Sequence, residues 1–198
     1  DRRKHVQERL GLDPRKKTVL YAPTFRDTQK VGKRFTFDIP LQLEMMSEKL
    51  LGTHELVVRL HPIIRKRTRL PAGVRDGGGQ VDMADLLCAT DVLITDYSSV
   101  MFDFANTERP MIFFAPDLEE YSGARGFYLD YETQVPGPIL TTTGEVVDAL
   151  ENPEELAAYA SRRAEFRERF CPLDDGQAAR RVVDYLEQLQ LLSPQRPT

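Results

Sequence analysis

The sequence predicts an α/β protein built on a Rossmann-like, doubly wound parallel sheet. Short apolar runs alternate with segments of helical spacing. The runs are continuously apolar rather than alternating, the mark of strands buried on both faces. Several stop at or just before a proline or an aspartate, at the strand ends where this fold places its ligands.

The elements follow in order. Arg3 to Leu10, stopped by Gly11, reads as the end of a helix with glycine just past it. Lys17 to Ala22 is an apolar strand between Pro14 and Pro23. Leu41 to Leu51 has helical spacing and ends at Gly52. Glu55 to Leu60 is a second strand, closed by Pro62. Asp82 to Thr90 is a short helix with Met83, Leu86 and Leu87 on one side. A strand over Val92–Thr95, a helix over Ser99–Asn106 and a strand over Met111–Phe114 follow, the last ended by Pro116. The remainder is mainly helical: Gly144–Leu150, Pro153–Phe170 and Gly176–Leu191. Gly77-Gly78-Gly79 reads as a flexible loop and residues 193–198 as a frayed tail. The count is four or five strands in one doubly wound domain spanning residues 1–198.

Composition narrows the class. At 198 residues the chain can bury a real core, and 41% hydrophobic with 29% charged residues is ordinary for a soluble globular protein. A net charge of −4 argues against a general nucleic-acid binder. Charge is uneven, though: Arg59, Arg65, Lys66, Arg67 and Arg69 form a basic run without an acid, suited to a phosphate ligand or an anionic membrane surface, or simply solvated. Cys88 and Cys171 lack metal or disulfide spacing, which fits a reducing cytoplasm. No apolar run approaches the ~20 residues of a membrane span. The chain opens on Asp1 in a charged helix, as a piece of a longer protein would.

The most informative stretch is Asp91 to Ala105. A strand stops on Asp96, passes through Tyr97-Ser98-Ser99 and enters a helix. Ser98 or Ser99 can cap that helix, and its first N–H groups lack intrahelical partners. Such a junction suits a phosphate or diphosphate, although an ordinary capped turn has the same sequence. Two further segments leave strand ends: Ala22-Pro23-Thr24-Phe25-Arg26-Asp27 and His61-Pro62. His61 can donate a hydrogen bond to phosphate or protonate a leaving group, or can bond only to backbone. His5 and His54 read as surface residues.

A later constellation, Glu119-Glu120-Tyr121 with Arg125 to Glu132, mixes aromatics, an arginine and acids before Pro136-Gly137-Pro138. It suits stacking on a base, or equally a packed crossover. Asp174-Asp175-Gly176-Gln177 opens the last helix, capping that helix or helping to hold a ribose or phosphate. Asp96 and Asp103 lack carboxylate neighbours at metal-site spacing.

In this order, Tyr21 to Asp27, Arg59-Leu60-His61-Pro62, Asp91 to Ser99, Arg109 to Phe114, Arg125 to Tyr128, Pro136 to Ile139 and Asp175-Gly176 resemble the C-terminal half of the CDP-glycerol glycerophosphotransferase family, the teichoic-acid polymerases and primases. The resemblance runs from about Lys17 to Leu186. It implies a GT-B architecture of two Rossmann-like domains, of which this is the half that binds the nucleotide donor. It implies transfer of glycerol phosphate from CDP-glycerol, or a similar CDP-polyol, to the hydroxyl of a polyol-phosphate polymer, with release of CMP and no essential metal or other cofactor. His61 would act on the diphosphate, with Thr24, Arg26, Asp96, Ser98, Ser99, Arg125, Asp175 and Gly176 around the donor. A second histidine, the base, would come from the N-terminal half. The setting would be the cytoplasmic face of the cell membrane. Alternatives are an isolated nucleotide-binding module and the donor domain of a UDP-sugar glycosyltransferase.

Overall fold

A computed structural model describes residues 1–26, 30–31, 34–35, 39–65, 68–189 and 191. Asp27, Lys66, Arg67 and the tail 193–198, named above, lie outside the described residues.

Six strands form one parallel sheet: β1 (Lys17–Tyr21), β2 (His54–Val58), β3 (Val74–Asp76), β4 (Val92–Thr95), β5 (Met111–Phe114) and β6 (Ile139–Leu140), in the order β3-β2-β1-β4-β5-β6. A separate antiparallel pair joins Lys30–Val31 to Arg34–Phe35. The order reverses direction at β1, the switch point beside which open α/β sheets bind ligands. The sheet thus has six strands, against the four or five expected. β3 escaped because it is a half-solvated edge strand, and β6 because it is only two residues long.

The continuous apolar runs have a direct structural cause. Successive strand residues point to opposite faces, and here both faces are covered. Leu20, Val57, Leu93 and Phe113 face one core, shared with helices α1 (Arg2–Leu10), α4 (Met83–Ala89), α5 (Val100–Ala105) and α10 (Ala160–Phe170). Val19, Tyr21, Val58, Ile94 and Ile112 face the other, shared with α2 (Leu43–Leu50), α8 (Thr143–Glu151) and α9 (Pro153–Ala157).

Side chains and glycine close several helix ends. Gly11 closes α1 at φ 64°, the left-handed conformation glycine adopts without a Cβ clash. Asp82 caps α4 through the Ala84 N–H. Thr142 and Glu145 form a reciprocal capping box at α8.

Three expectations are corrected. The segment Pro153–Phe170 is two helices, because Arg163 turns inward and donates to the carbonyls of Leu156 and Glu108, holding the break between α9 and α10. His54 is buried, opening β2 opposite Lys17, with Nδ1 2.8 Å from the Thr53 hydroxyl. The glycine loop after β3 is tied down: Arg59 donates to the carbonyls of Gly77 and Val81, and Gly78 N–H donates to Asp76.

The crossover after β5 also folds. It holds two helices of its own, α6 (Leu118–Arg125) and α7 (Tyr131–Gln134), while a short helix α3 (Pro62–Arg65) follows β2 and α11 (Ala178–Gln188) is the last helix among the described residues. No helix among the described residues is long and apolar enough to cross a membrane.

Candidate functional site

Because β2, β1 and β4 are adjacent and parallel, the segments leaving them emerge side by side on one rim. The backbone is locked there. Ala22 N–H donates to the Ile94 carbonyl, Arg59 N–H to Tyr21, and the Thr95 hydroxyl to Ala22.

The side chains then join the segments. Thr24 N–H donates to both carboxylate oxygens of Asp96, at 2.8 and 3.1 Å. Arg26 lies 2.9 Å from Asp96 and donates to Asp117 at 2.9 Å and to the Thr24 carbonyl at 2.8 Å. The Phe25 ring stacks on His61 with centroids 5.3 Å apart. One segment therefore touches both of its neighbours: Thr24 and Arg26 reach Asp96, and Phe25 reaches His61.

His61 is exposed at the start of α3, its carbonyl taking the N–H groups of Ile64 and Arg65 at 3.0 Å. Ser98 and Ser99 follow Asp96 directly. Ser98 supplies the capping hydroxyl of α5, accepting from Val100 N–H at 3.3 Å, while Ser99 makes no side-chain cap. The Thr24 hydroxyl is buried with no hydrogen-bond partner among the described residues.

Asp117, which the sequence reading did not single out, organises the next wall. It accepts from Arg26 and from the Tyr97 hydroxyl, the latter at 2.9 Å. Burial would raise its carboxyl, but the bonds from Arg26 and Tyr97 outweigh this and hold it below the ordinary value. Burial, then the bond to Asp117, pushes the Tyr97 phenol well above its own. Arg26 stays charged in spite of burial, its guanidinium held up by Asp117 and Asp96. Asp117 was findable: it stands just past β5, on the same rim that marked Asp96.

The aromatic constellation packs chiefly on itself. Tyr97 stacks on Tyr121 at 3.8 Å, Phe127 stacks on Tyr131 at 4.9 Å, and the Tyr131 hydroxyl donates to the Asp96 carbonyl at 3.0 Å. Tyr121 keeps one role at the surface: with Phe25, Arg26, Asp117 and Arg125 it lines a hollow beside the rim. Arg125 thus joins the group from the end of α6.

Asp175 and Gly176 are not brought there. Asp175 pairs with Arg181 at 2.8 Å and accepts from Gln177 N–H, serving its own helix. The neighbouring Asp174 bonds Asn106, which closes α5 at the end away from Ser99.

The rim can do specific chemistry. It combines an exposed imidazole, serine hydroxyls at a helix start and an arginine beside a hollow, a set suited to holding a diphosphate. Among the described residues no cluster of three or more His, Cys, Asp or Glu could hold a metal ion.

Residues 1–188 match the family described as CDP-Glycerol:Poly(glycerophosphate) glycerophosphotransferase. The chain belongs to this family. It is 37% identical over 186 residues to the teichoic acid poly(glycerol phosphate) polymerase of Bacillus spizizenii W23, covering 91% of this chain and 47% of the relative. It is also 37% identical over 181 residues to the teichoic acid glycerol-phosphate transferase of Staphylococcus aureus, covering 89% of this chain and 46% of the relative. The solved wall teichoic acid polymerase TagF superposes with a TM-score of 0.85 at 32% identity, over 97% of this chain and 49% of that one. A TagF histidine variant soaked with CDPG superposes equally well, at 0.85 and 33%, over 96% of this chain and 48% of that one. The calicheamicin glycosyltransferase CalG4, at 14% identity and a TM-score of 0.56 over 88% of this chain and 43% of that one, shares the fold. This family member spans about half the length of the curated relatives it matches.

Proposed function

We propose that this chain is the donor-binding half of a GT-B glycerophosphotransferase, acting with an N-terminal domain that presents the acceptor. The enzyme takes CDP-glycerol and a polyol-phosphate polymer of the teichoic-acid kind. The observation that carries the reading is the joining of the rim segments through Thr24–Asp96 and Phe25–His61, in a member of this family.

The polymer's terminal hydroxyl oxygen attacks the glycerol-bearing phosphorus of CDP-glycerol. The bond from that phosphorus to the bridging oxygen breaks, and CMP leaves with the bridging oxygen. The hydroxyl proton goes to a base from the partner domain. His61 hydrogen-bonds the diphosphate and stabilises the charge that develops as CMP departs. Ser98 and Ser99 meet the phosphates, Thr24 holds its segment beside them through its N–H on Asp96, and Arg125 adds positive charge beside the hollow. Arg26 and Asp96 hold the first segment in shape behind them. Glycerol is the proposed polyol because the relatives at 37% identity are glycerol-phosphate enzymes, while ribitol-phosphate relatives reach 35%.

The proposed setting is the inner face of the cell membrane, with peripheral attachment. Among the described residues of the basic run, Arg59 and Arg65 are bonded within the chain and Arg69 is exposed, and any contact with anionic lipid should weaken with added salt.

Calorimetry of the chain with CDP-glycerol, CDP, UDP and a UDP-sugar tests the donor class. Binding of CDP-glycerol and CDP with little UDP binding is expected. Preference for the UDP-sugar overturns the proposal in favour of a glycosyltransferase.

A further inference from the structure

The turn that carries His61 is braced from a distance. α3 begins at Pro62 and ends at Arg65, and the N–H of Arg65 closes the turn on the His61 carbonyl at 3.0 Å. The Arg65 side chain reaches along the rim, away from β1, to the end of β3 and the loop after it. There its Nε donates to Asp76 Oδ2 at 2.7 Å, and the other oxygen of Asp76 accepts the Gly78 N–H at 2.8 Å.

The glycines explain how the arginine fits. A Cβ on Gly78 would overlap the Arg65 side chain at Cδ, and one on Gly79 would meet its Nη1. Gly79 also sits at φ 84°, in the left-handed region that glycine tolerates. Gly77 abuts Val57 and Leu86 in the core, and its N–H donates to the Val58 carbonyl, anchoring the bed to β2 itself. Arg59 grips the same loop from the residue after β2's end, through Gly77 and Val81.

A closed circuit results. It leaves β2, turns at His61, passes along α3 to Arg65, crosses to Asp76 and Gly78, and returns to β2 through Gly77. Ile64, buried beneath α3, pins its middle.

We propose that Arg65, bedded on Gly78-Gly79 and paired with Asp76, is a positioning residue for His61 in the transfer reaction. The inference rests on the proposed role of His61. The glycine triplet thereby has a purpose: it makes room for a guanidinium that sets the aim of the imidazole. Misplacing a reacting group by an ångström costs up to ~10²-fold in rate, so a small slackening of α3 has a kinetic signature.

The test uses the full-length enzyme carrying this chain, with CMP release as the readout. Arg65→Ala is expected to lower kcat ~10- to 100-fold with KM for CDP-glycerol within about twofold. Gly78→Ala leaves every charged group in place and is expected to reproduce the loss, because its methyl displaces the arginine. Arg65→Lys, which keeps the charge without the planar fork, should recover only part of the rate. Combining Arg65→Ala with His61→Ala should cost no more than His61→Ala alone.

A rise in KM at unchanged kcat makes Arg65 a donor ligand and overturns the proposal. So does a double variant whose defect is the product of the two, or a Gly78→Ala enzyme with wild-type kcat. Full activity in His61→Ala alone would instead strike down the role of His61.

Discussion

Arg26 Nη2 lies 2.9 Å from Asp96 Oδ2, in an ion pair whose side chains are 11% and 3% exposed. The same aspartate takes the Thr24 N–H, so one carboxylate fixes both ends of the turn that leaves β1. With Asp117 on its other side, the guanidinium is already balanced by two acids. Its service to a bound anion is the shape it imposes on the rim.

Removing that carboxylate should therefore be costly. Asp96→Ala leaves Arg26 half-paired and the Thr24 N–H without its acceptor, and is expected to cost about 3 kcal/mol in urea unfolding, at an unchanged slope. A loss below about 1 kcal/mol, the scale of an exposed pair, would mean that the clamp does not hold the rim.

His61→Ala addresses chemistry rather than folding. In the full-length enzyme CMP release should drop ~10²–10³-fold, the usual effect of losing one preorganised donor at a developing charge. Loss of the Phe25 stack should move the melting temperature by only a few degrees, because the ring is exposed. Activity within a few-fold of wild type removes His61 from the mechanism.

Gly137 offers a packing test away from the site. A Cβ there would run into the Met111 carbonyl, which is backbone and cannot swing aside. Gly137→Ala should destabilise the protein by about 1–3 kcal/mol, as overpacking does, while calorimetric affinity for CDP-glycerol stays the same. A variant as stable as wild type would contradict the close approach of the Pro136-Gly137-Pro138 segment to β5.

His54 predicts a pH dependence. Burial, then the nearby Lys17, lowers its value in the folded chain. Below roughly pH 6.5 the unfolded chain takes up a proton that the folded chain refuses, so stability should fall as the pH drops below that value. The depressed carboxyls of Asp91 and Asp117 act in a separate, more acidic range, where stability falls as they are protonated. His54→Gln should flatten the urea midpoint across the neutral window. An equal slope in both proteins would assign it to another group.

Much of the fold was legible because both faces of the sheet are covered. Lys17–Ala22, Val92–Thr95 and Met111–Phe114 show unbroken apolar runs, and Gly11 and Asp82 end and begin their helices as their chemistry requires. What escaped lacks such a signal. Val74-Arg75-Asp76 pairs only on one side, so its residues alternate with solvent. His54 was misread because a polar residue before an apolar run looks like a loop, and only its pairing with Lys17 makes it strand.

The site was legible in its strand-end residues and opaque in its cross-links. Thr24, His61 and Ser98 are marked by where their strands stop. Nothing local says that Arg26 spends its charges on Asp96 and Asp117, since those acids lie far along the chain. Nor does Asp175-Gly176 reveal from sequence that its carboxylate turns to Arg181.

The central strand has a consequence for biosynthesis. Val19 of β1 aligns with Leu56 on one side and with Val92 on the other. During translation the first strand emerges long before its second neighbour, and loop closure must precede any gain from that pairing. Until Thr95 has cleared the ribosome, β1 lacks one of its two neighbours and the middle of the sheet presents an edge open to mispairing.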